Sequence, residues 1–196
     1  MDGNSEMKSF FDKLAPSWDN NAEEYEIRER ITSMMGLGKN SLIADIGCGQ
    51  GVMFQHLLKT EPRGILAIDI SGEMLEYAKK MYPDERITYM NEDILQASLP
   101  HIDAAVIFNA YPHFMDKKAL AKKLAENVRP GGLIVIAHSL SKEKINCIHK
   151  DCSAEKLSVP LQTAEKEANE FRPYFVPEKI IDEDELYFIK MTRLSP

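Results

Sequence analysis

Five short β-rich runs, Leu42–Ile46, Ile65–Ile70, Ile87–Met90, Ala104–Phe108 and Leu133–Ala137, alternate with helix-patterned stretches along the chain. Several of the runs are apolar almost throughout, as expected of parallel strands covered on both faces. Strand–helix alternation of this kind means βαβ units, right-handed crossovers and a doubly wound α/β sheet.

The intervening segments read as helices. Met53, Phe54, Leu57 and Leu58 have helical spacing. Ser71 is placed to cap a helix whose stripe is Met74, Leu75, Ala78 and Met81, with Glu73 in its first turn and Lys79 and Lys80 in its last, matching the helix dipole. Asp116 caps a further helix carrying Leu120, Leu124 and Val128, and the Arg-Pro-Gly-Gly at 129–132 ends it.

The last third differs. Helices are expected from Ser141 to about His149 and over Gln162–Glu170. Pro173–Ile181 and Leu186–Arg193 then read as two strands joined by the acidic turn Asp182–Glu185. So short a link requires an antiparallel hairpin. Before the first strand, Phe10–Ala15 and Glu23–Met35 look helical, the second stopping at Gly36.

Composition narrows the function classes. With 196 residues, 24 Lys+Arg and 31 Asp+Glu, the net charge is −7. A nucleic-acid binder normally carries a basic stripe, and the basic pairs here (Lys79–Lys80, Lys117–Lys118, Lys122–Lys123) lie beside acids on helix surfaces. Cys48, Cys147 and Cys152 make neither a disulfide framework nor a zinc set. The polar opening MDGNSEMKSF does not read as a signal peptide. No apolar run approaches the roughly 18 residues of a membrane span, so the expectation is a cytoplasmic protein with no membrane or nucleic-acid partner.

The chemistry concentrates after the strands. In IADIGCGQG at 43–51, a strand ends and Gly47, Gly49 and Gly51 follow at alternate positions before a helix. Bare backbone and a helix N-terminus suit a nucleotide-like ligand. Asp69 ends the next strand, where a carboxylate accepts from both hydroxyls of a ribose. Asp93, in Asn91-Glu92-Asp93-Ile94, is placed to take an adenine amine, with Ile70 and Ile94 flanking the ring. Asn109 opens the loop FNAYPHF, whose Tyr111, His113 and Phe114 can wall a reaction chamber. All four segments fall at one edge of the sheet, where loops carry function. Two cofactors compete. The pattern is GxGxG, with Val52 where the third glycine of an NAD-type GxGxxG fingerprint would stand. S-adenosylmethionine, with no pyrophosphate, fits that loop as well.

Taken together, IADIGCGQG, LAIDIS, NEDI, FNAYPHF and RPGGLIVIAHS resemble the successive motifs of class I S-adenosylmethionine-dependent methyltransferases, tightly over about 41–140. FFDKLAPSWD resembles the N-terminal segment of small-molecule members, in which aromatic residues help cover the cofactor. The resemblance implies a seven-stranded sheet of order 3-2-1-4-5-7-6, with an N-terminal helical cap over 1–40 and a methyltransferase domain over 41–196. It implies that the Gly47–Gly51 loop holds the amino-acid part, Asp69 the ribose and Asp93 the adenine. Asp45, Cys48 (a structural thiol at a variable position of the glycine motif), Met74, Asn109 and Trp18 complete the expected cofactor set. Asn109 is not followed by the NPPY or DPPY form of amino-group methylases of DNA and protein, and a small acceptor is expected, handled by a monomer or homodimer. An NAD-dependent oxidoreductase and a catalytically silent cofactor-binding protein are the alternatives.

For catalysis, His113 and His138 follow strands four and five, and His149 lies in the next helix at i, i+3 from Asn146. Histidine suits base catalysis near neutral pH. Tyr111 joins these three as a candidate catalytic residue, and with Phe11 and Trp18 it can stabilise a sulfonium or exclude water. No metal site is expected.

Overall fold

The computed structural model describes residues 3–18, 24–151 and 155–195. Asp19 and Glu23 of the expected N-terminal segments, and Cys152, lie outside the described residues.

The strands form as the apolar runs indicate: β1 Leu42–Ile46, β2 Gly64–Asp69, β3 Ile87–Asn91, β4 Ile102–Phe108, β5 Val128–His138, β6 Phe175–Glu183 and β7 Leu186–Arg193. They make one seven-stranded sheet of order β3-β2-β1-β4-β5-β7-β6. β1 to β5 are parallel, whereas β7 pairs antiparallel with both β5 and β6. The helices are α1 Gly3–Leu14, α2 Tyr25–Met35, α3 Phe54–Leu58, α4 Gly72–Met81, α5 Lys117–Asn127, α6 Lys142–Asp151 and α7 Ala164–Phe171.

Local chemistry sets the boundaries. Ser71 Oγ accepts the Met74 amide at 3.2 Å, and an Asp116 carboxylate oxygen accepts that of Ala119 at 2.8 Å, so both expected caps form. α2 stops at Gly36, which takes a left-handed φ of 65°. β5 begins five residues earlier than its apolar run: Ile102 pairs with Val128 and Ala104 with Leu133, and the irregularity absorbs Arg-Pro-Gly-Gly within the strand. The β6–β7 hairpin turns through Asp184 and Glu185.

Alternate side chains feed two cores. Ala44, Ile46, Leu66, Ile68, Ile107 and Ile136 bury one face against α5 and α7. Ile43, Ala67, Val106, Val135 and Ala137 bury the other against α2, α3 and α4. With both faces covered, ligands have access at the carboxyl ends of the strands. The antiparallel β7 between β5 and β6 also departs from the dinucleotide-binding order 3-2-1-4-5-6, which removes the topological basis of the NAD reading.

Candidate functional site

A cavity of about 420 Å³ opens at those carboxyl ends. Its wall is built from the loops after β1 to β4 and roofed by the N-terminal segment through Asn4, Met7, Phe11, Trp18, Glu24 and Arg28.

The glycine loop divides its labour. Gly47 has φ +68°, and an added Cβ would lie 2.7 Å from that of Ala110, so only glycine lets the loop after β4 come so close. Gly49 faces the cavity, where an added Cβ would meet nothing within 4 Å. Gly51 does not line the cavity. With φ +81° and Phe54 ring atoms 2.4 Å from where its Cβ would sit, it lets the Phe54 side chain fold back onto the loop. Cys48 is buried in the wall, and burial raises its thiol well above the usual range.

Asp69 lines the cavity. One carboxylate oxygen accepts the Gly49 amide at 2.7 Å and the other the Ser71 amide at 2.8 Å. Burial raises its pKa, and these two amides oppose the rise. Each oxygen retains acceptor capacity beyond one amide, which is what a vicinal diol requires. Asp93 accepts the Leu95 amide at 3.0 Å on one oxygen and the Asn4 side-chain amide at 2.8 Å on the other. Ile70, Met74 and Ile94 line the wall beside it.

Asp45 does not line the cavity. It is buried beneath the glycine loop, and its Oδ2 has no hydrogen-bond partner. Burial first, then the charge of Asp69, raises its pKa to about 8, so it is a neutral acid at pH 7.

Asn109 lines the cavity with a left-handed φ of 53°, a strained conformation for a side chain other than glycine. Three hydrogen bonds hold it: its backbone amide on Ala137 O at 2.9 Å, its Nδ2 on Ser139 Oγ at 3.0 Å, and its Oδ1 accepting the Ser139 amide at 3.0 Å. Ser139 Oγ donates to Glu24 at 2.9 Å, and the other Glu24 oxygen meets Arg28 at 3.2 Å. A polar chain therefore runs from the sheet edge into α2.

The three candidate histidines part company. His113 lines the cavity, its ring 5.0 Å from that of Phe11 and 5.0 Å from that of His149. Its Nδ1 meets Leu157 O at 2.9 Å. A carbonyl accepts only from an N–H, so the proton sits on Nδ1 and Nε2 is an acceptor. Burial lowers its pKa to about 4, keeping the ring neutral. His138, by contrast, is only 2% exposed and packs against the Tyr187 ring at 5.7 Å, away from the cavity lining. The expectation that it faces the site fails because β5 alternates: His138 shares the Ile134–Ile136 face buried on the α7 side, and Ser139, one residue on, reaches the site. His149 is half-buried behind His113 and does not line the cavity.

Tyr111 also departs from its expected place. It is fully buried, donates to Glu167 at 3.1 Å and carries Lys117 over its ring at 4.6 Å. Burial and the Glu167 charge raise its pKa. It anchors the loop rather than walling the chamber. The aromatic wall is formed instead by Phe11, Trp18, His113 and Phe114. Glu24, Arg28, Ser139 and Asn4 are the site residues that strand-end motifs do not reveal. Of these, Ser139 alone carries a local signal, as the residue that follows β5 and closes RPGGLIVIAHS.

Comparison with known proteins agrees with this geometry. Residues 43–132 match the model of a methyltransferase domain family. The chain is 33% identical over 97 residues to the malonyl-[acyl-carrier protein] O-methyltransferase of Priestia megaterium, covering 48% of this chain and 35% of that protein. It is 27% identical over 171 residues to the ribosomal RNA small subunit methyltransferase A of Mycoplasma mobile, covering 85% of this chain and 66% of that protein. The chain thus spans from about a third to about two thirds of these relatives' lengths. Among solved structures, the N-methyltransferase NodS of Bradyrhizobium japonicum, in complex with S-adenosyl-L-homocysteine, superposes with a TM-score of 0.75 at 14% identity over 96% of this chain and 98% of that one. A SAM-dependent methyltransferase from Aquifex aeolicus gives 0.73 at 14% identity, over 95% and 98%. At such identities the structures share the fold. By the domain match, the sheet order and the glycine loop with its flanking acids, residues 43–132 carry a methyltransferase domain, set in the class I S-adenosylmethionine-dependent methyltransferase fold.

Proposed function

We propose that this chain binds S-adenosylmethionine in the cavity and transfers its methyl group to a small-molecule acceptor. The observation that carries the reading is the convergence of Gly47, Gly49, Asp69, Asp93, Asn109 and His113 on one cavity. When bound, the cofactor supplies an electrophilic methyl on a sulfonium. The chain supplies position. Asp69 accepts ribose hydroxyls, Asp93 accepts the adenine amine, and the Gly49 backbone leaves room for the amino-acid part. Asn109, fixed by Ser139, sets the floor on which donor and acceptor align, with reacting atoms about 3–3.5 Å apart. His113, neutral with Nδ1–H on Leu157 O, offers Nε2 to an O–H or N–H of the acceptor and orients it. Phe11, Trp18 and Phe114 keep water out.

A small acceptor is favoured over RNA by charge. Among the described residues lining the cavity, Glu24, Asp69, Glu92, Asp93 and Asp116 face a single basic residue, Arg28, and a polyphosphate chain is repelled there. The relatives named for ribosomal RNA make RNA the second reading. The buried free thiol of Cys48 fits a reducing cytoplasm.

Release of S-adenosylhomocysteine from S-adenosylmethionine, assayed with pools of small metabolites and separately with ribosomal RNA, tests the proposal. Turnover with RNA alone would overturn the acceptor class. Cofactor binding without turnover on any acceptor would favour a silent binding protein.

A further inference from the structure

We propose that Asn146, on α6, is a positioning residue for His113: it holds the segment 157–161 so that the Leu157 carbonyl stays on Nδ1 of the His113 ring and Nε2 stays the bare nitrogen. The inference rests on His113 meeting the acceptor as proposed above. α6 follows β5, and its place is set by Ile145, buried in the same core as Ile136 and Phe171. Two residues one turn apart on α6 then reach the loop after β4 by different routes. The His149 ring packs against that of His113 at 5.0 Å. Asn146 takes the longer route. Its Nδ2 donates to Leu161 O at 2.9 Å, and its Oδ1 accepts the Leu161 amide at 2.8 Å. Two further bonds carry the hold from Leu161 to the site: the Val159 amide donates to Pro112 O at 2.8 Å, and His113 Nδ1 donates to Leu157 O at 2.9 Å. Asn146 does not line the cavity, so it acts through this segment.

The chemistry follows from the backbone between α6 and α7. It is a single 3-10 turn, Glu155–Leu157, and then irregular chain, so its peptide groups need partners from elsewhere. A side-chain amide carries a donor and an acceptor as a peptide group does. Asn146 thereby gives Leu161 both of the bonds that a strand neighbour would supply. With Leu161 tied to α6 and Val159 to Pro112, the Leu157 carbonyl is held on the His113 ring. That carbonyl decides the tautomer, because the ring nitrogen that finds an acceptor carries the proton. Burial keeps the ring neutral, so the other nitrogen stays bare. Slackening at Leu161 lets the Leu157 carbonyl draw back. The proton then moves to Nε2, which no longer accepts one from a substrate.

Two-bond nitrogen–proton NMR spectra of the full chain at pH 7 read the tautomer, with His113→Gln identifying the His113 signals among five histidines. The unsubstituted chain is expected to hold the proton on Nδ1. Asn146→Ala, which loses both bonds, is expected to shift the tautomer ratio about three- to tenfold toward Nε2–H. Asn146→Gln keeps the amide but moves it by one methylene, and a shift in the same direction is expected. Tyr187→Phe is the control. The Tyr187 hydroxyl donates to Gln162 O at 3.3 Å, so its loss slackens the next residue without touching Asn146, and the tautomer is expected to hold. An unchanged tautomer in Asn146→Ala, or an equal shift in Tyr187→Phe, overturns the proposal while sparing the cofactor reading. Should Asn146→Ala not fold, an unshifted tautomer in Asn146→Gln overturns it equally. No calorimetric binding of S-adenosylhomocysteine by the unsubstituted chain at millimolar ligand overturns the methyl-transfer reading, and with it the purpose assigned to the tautomer.

Discussion

The Asp69 carboxylate at the end of β2 holds the Gly49 amide of the β1 loop at 2.7 Å, so the proposed ribose acceptor and the glycine loop are one mechanical unit. Substituting Asp69 removes the proposed ribose contact and frees the Gly49 amide that holds the loop. Asp69→Ala is expected to weaken S-adenosylhomocysteine binding by about 1–3 kcal/mol, the usual cost of stranding polar partners, and to speed amide exchange over 47–51. Calorimetry and hydrogen exchange read the two effects, and unchanged affinity would refute the ribose assignment.

His113 and His138 should separate cleanly. His113→Ala is expected to lower turnover about tenfold or more while leaving cofactor affinity nearly unchanged, since its ring lines the cavity and is proposed to orient the acceptor. His138→Gln is expected to keep turnover and lower the melting temperature, because its ring fills the core beside Tyr187. The reverse pattern would return His138 to the site.

Glu167 accepts from Tyr111, from the Gln162 amide at 2.9 Å and from Lys117 at 2.7 Å, in a nearly closed pocket. Tyr111→Phe is expected to cost about 1 kcal/mol of stability and spare turnover. Glu167→Leu leaves Lys117 buried without its counter-charge and is expected to cost about 3–5 kcal/mol. Denaturant unfolding measures both. A large turnover loss in a stably folded Tyr111→Phe would restore Tyr111 to catalysis.

Burial sets the pH dependence of stability. His113 at about 4 and His138 at about 3 lie below the free imidazole value of about 6.5, so below that pH the unfolded chain binds protons the folded chain refuses. Each contributes stability that is present above pH 6.5 and lost on acidification toward the folded values, by about 1.4 kcal/mol per pH unit. Asp45 works oppositely. Raised to about 8, it contributes stability present below about pH 4 and lost as the pH rises through 8. The two trends cross, so stability should peak near pH 6.5. Asp45→Asn should flatten the alkaline fall. Melting curves from pH 4 to 9 check both, and an alkaline fall unaltered by Asp45→Asn would refute the assignment.

The sheet was legible because its signals are local. Apolar runs, the Ser71 and Asp116 caps and the Gly36 stop each act within a few residues. The acids and glycines at strand ends inherit their position from the sheet they terminate, so Asp69, Asp93 and Asn109 could be placed before any fold was seen. Asp45 and Gly51 belong to the same motif but serve what lies beneath the loop, a distinction that depends on packing.

The chain's own order thus determined the alternation, the parallel sheet with its terminal hairpin, and the edge at which the cavity opens, because hydrophobic period and turn chemistry are encoded residue by residue. Tertiary structure alone decided which of three histidines meets the cavity, that Tyr111 turns inward to Glu167, and that Asn4 and Glu24 cross to the site from the first helices. Those outcomes depend on a one-residue alternation at the end of β5 and on contacts between segments 89 and 115 positions apart, which no local pattern specifies.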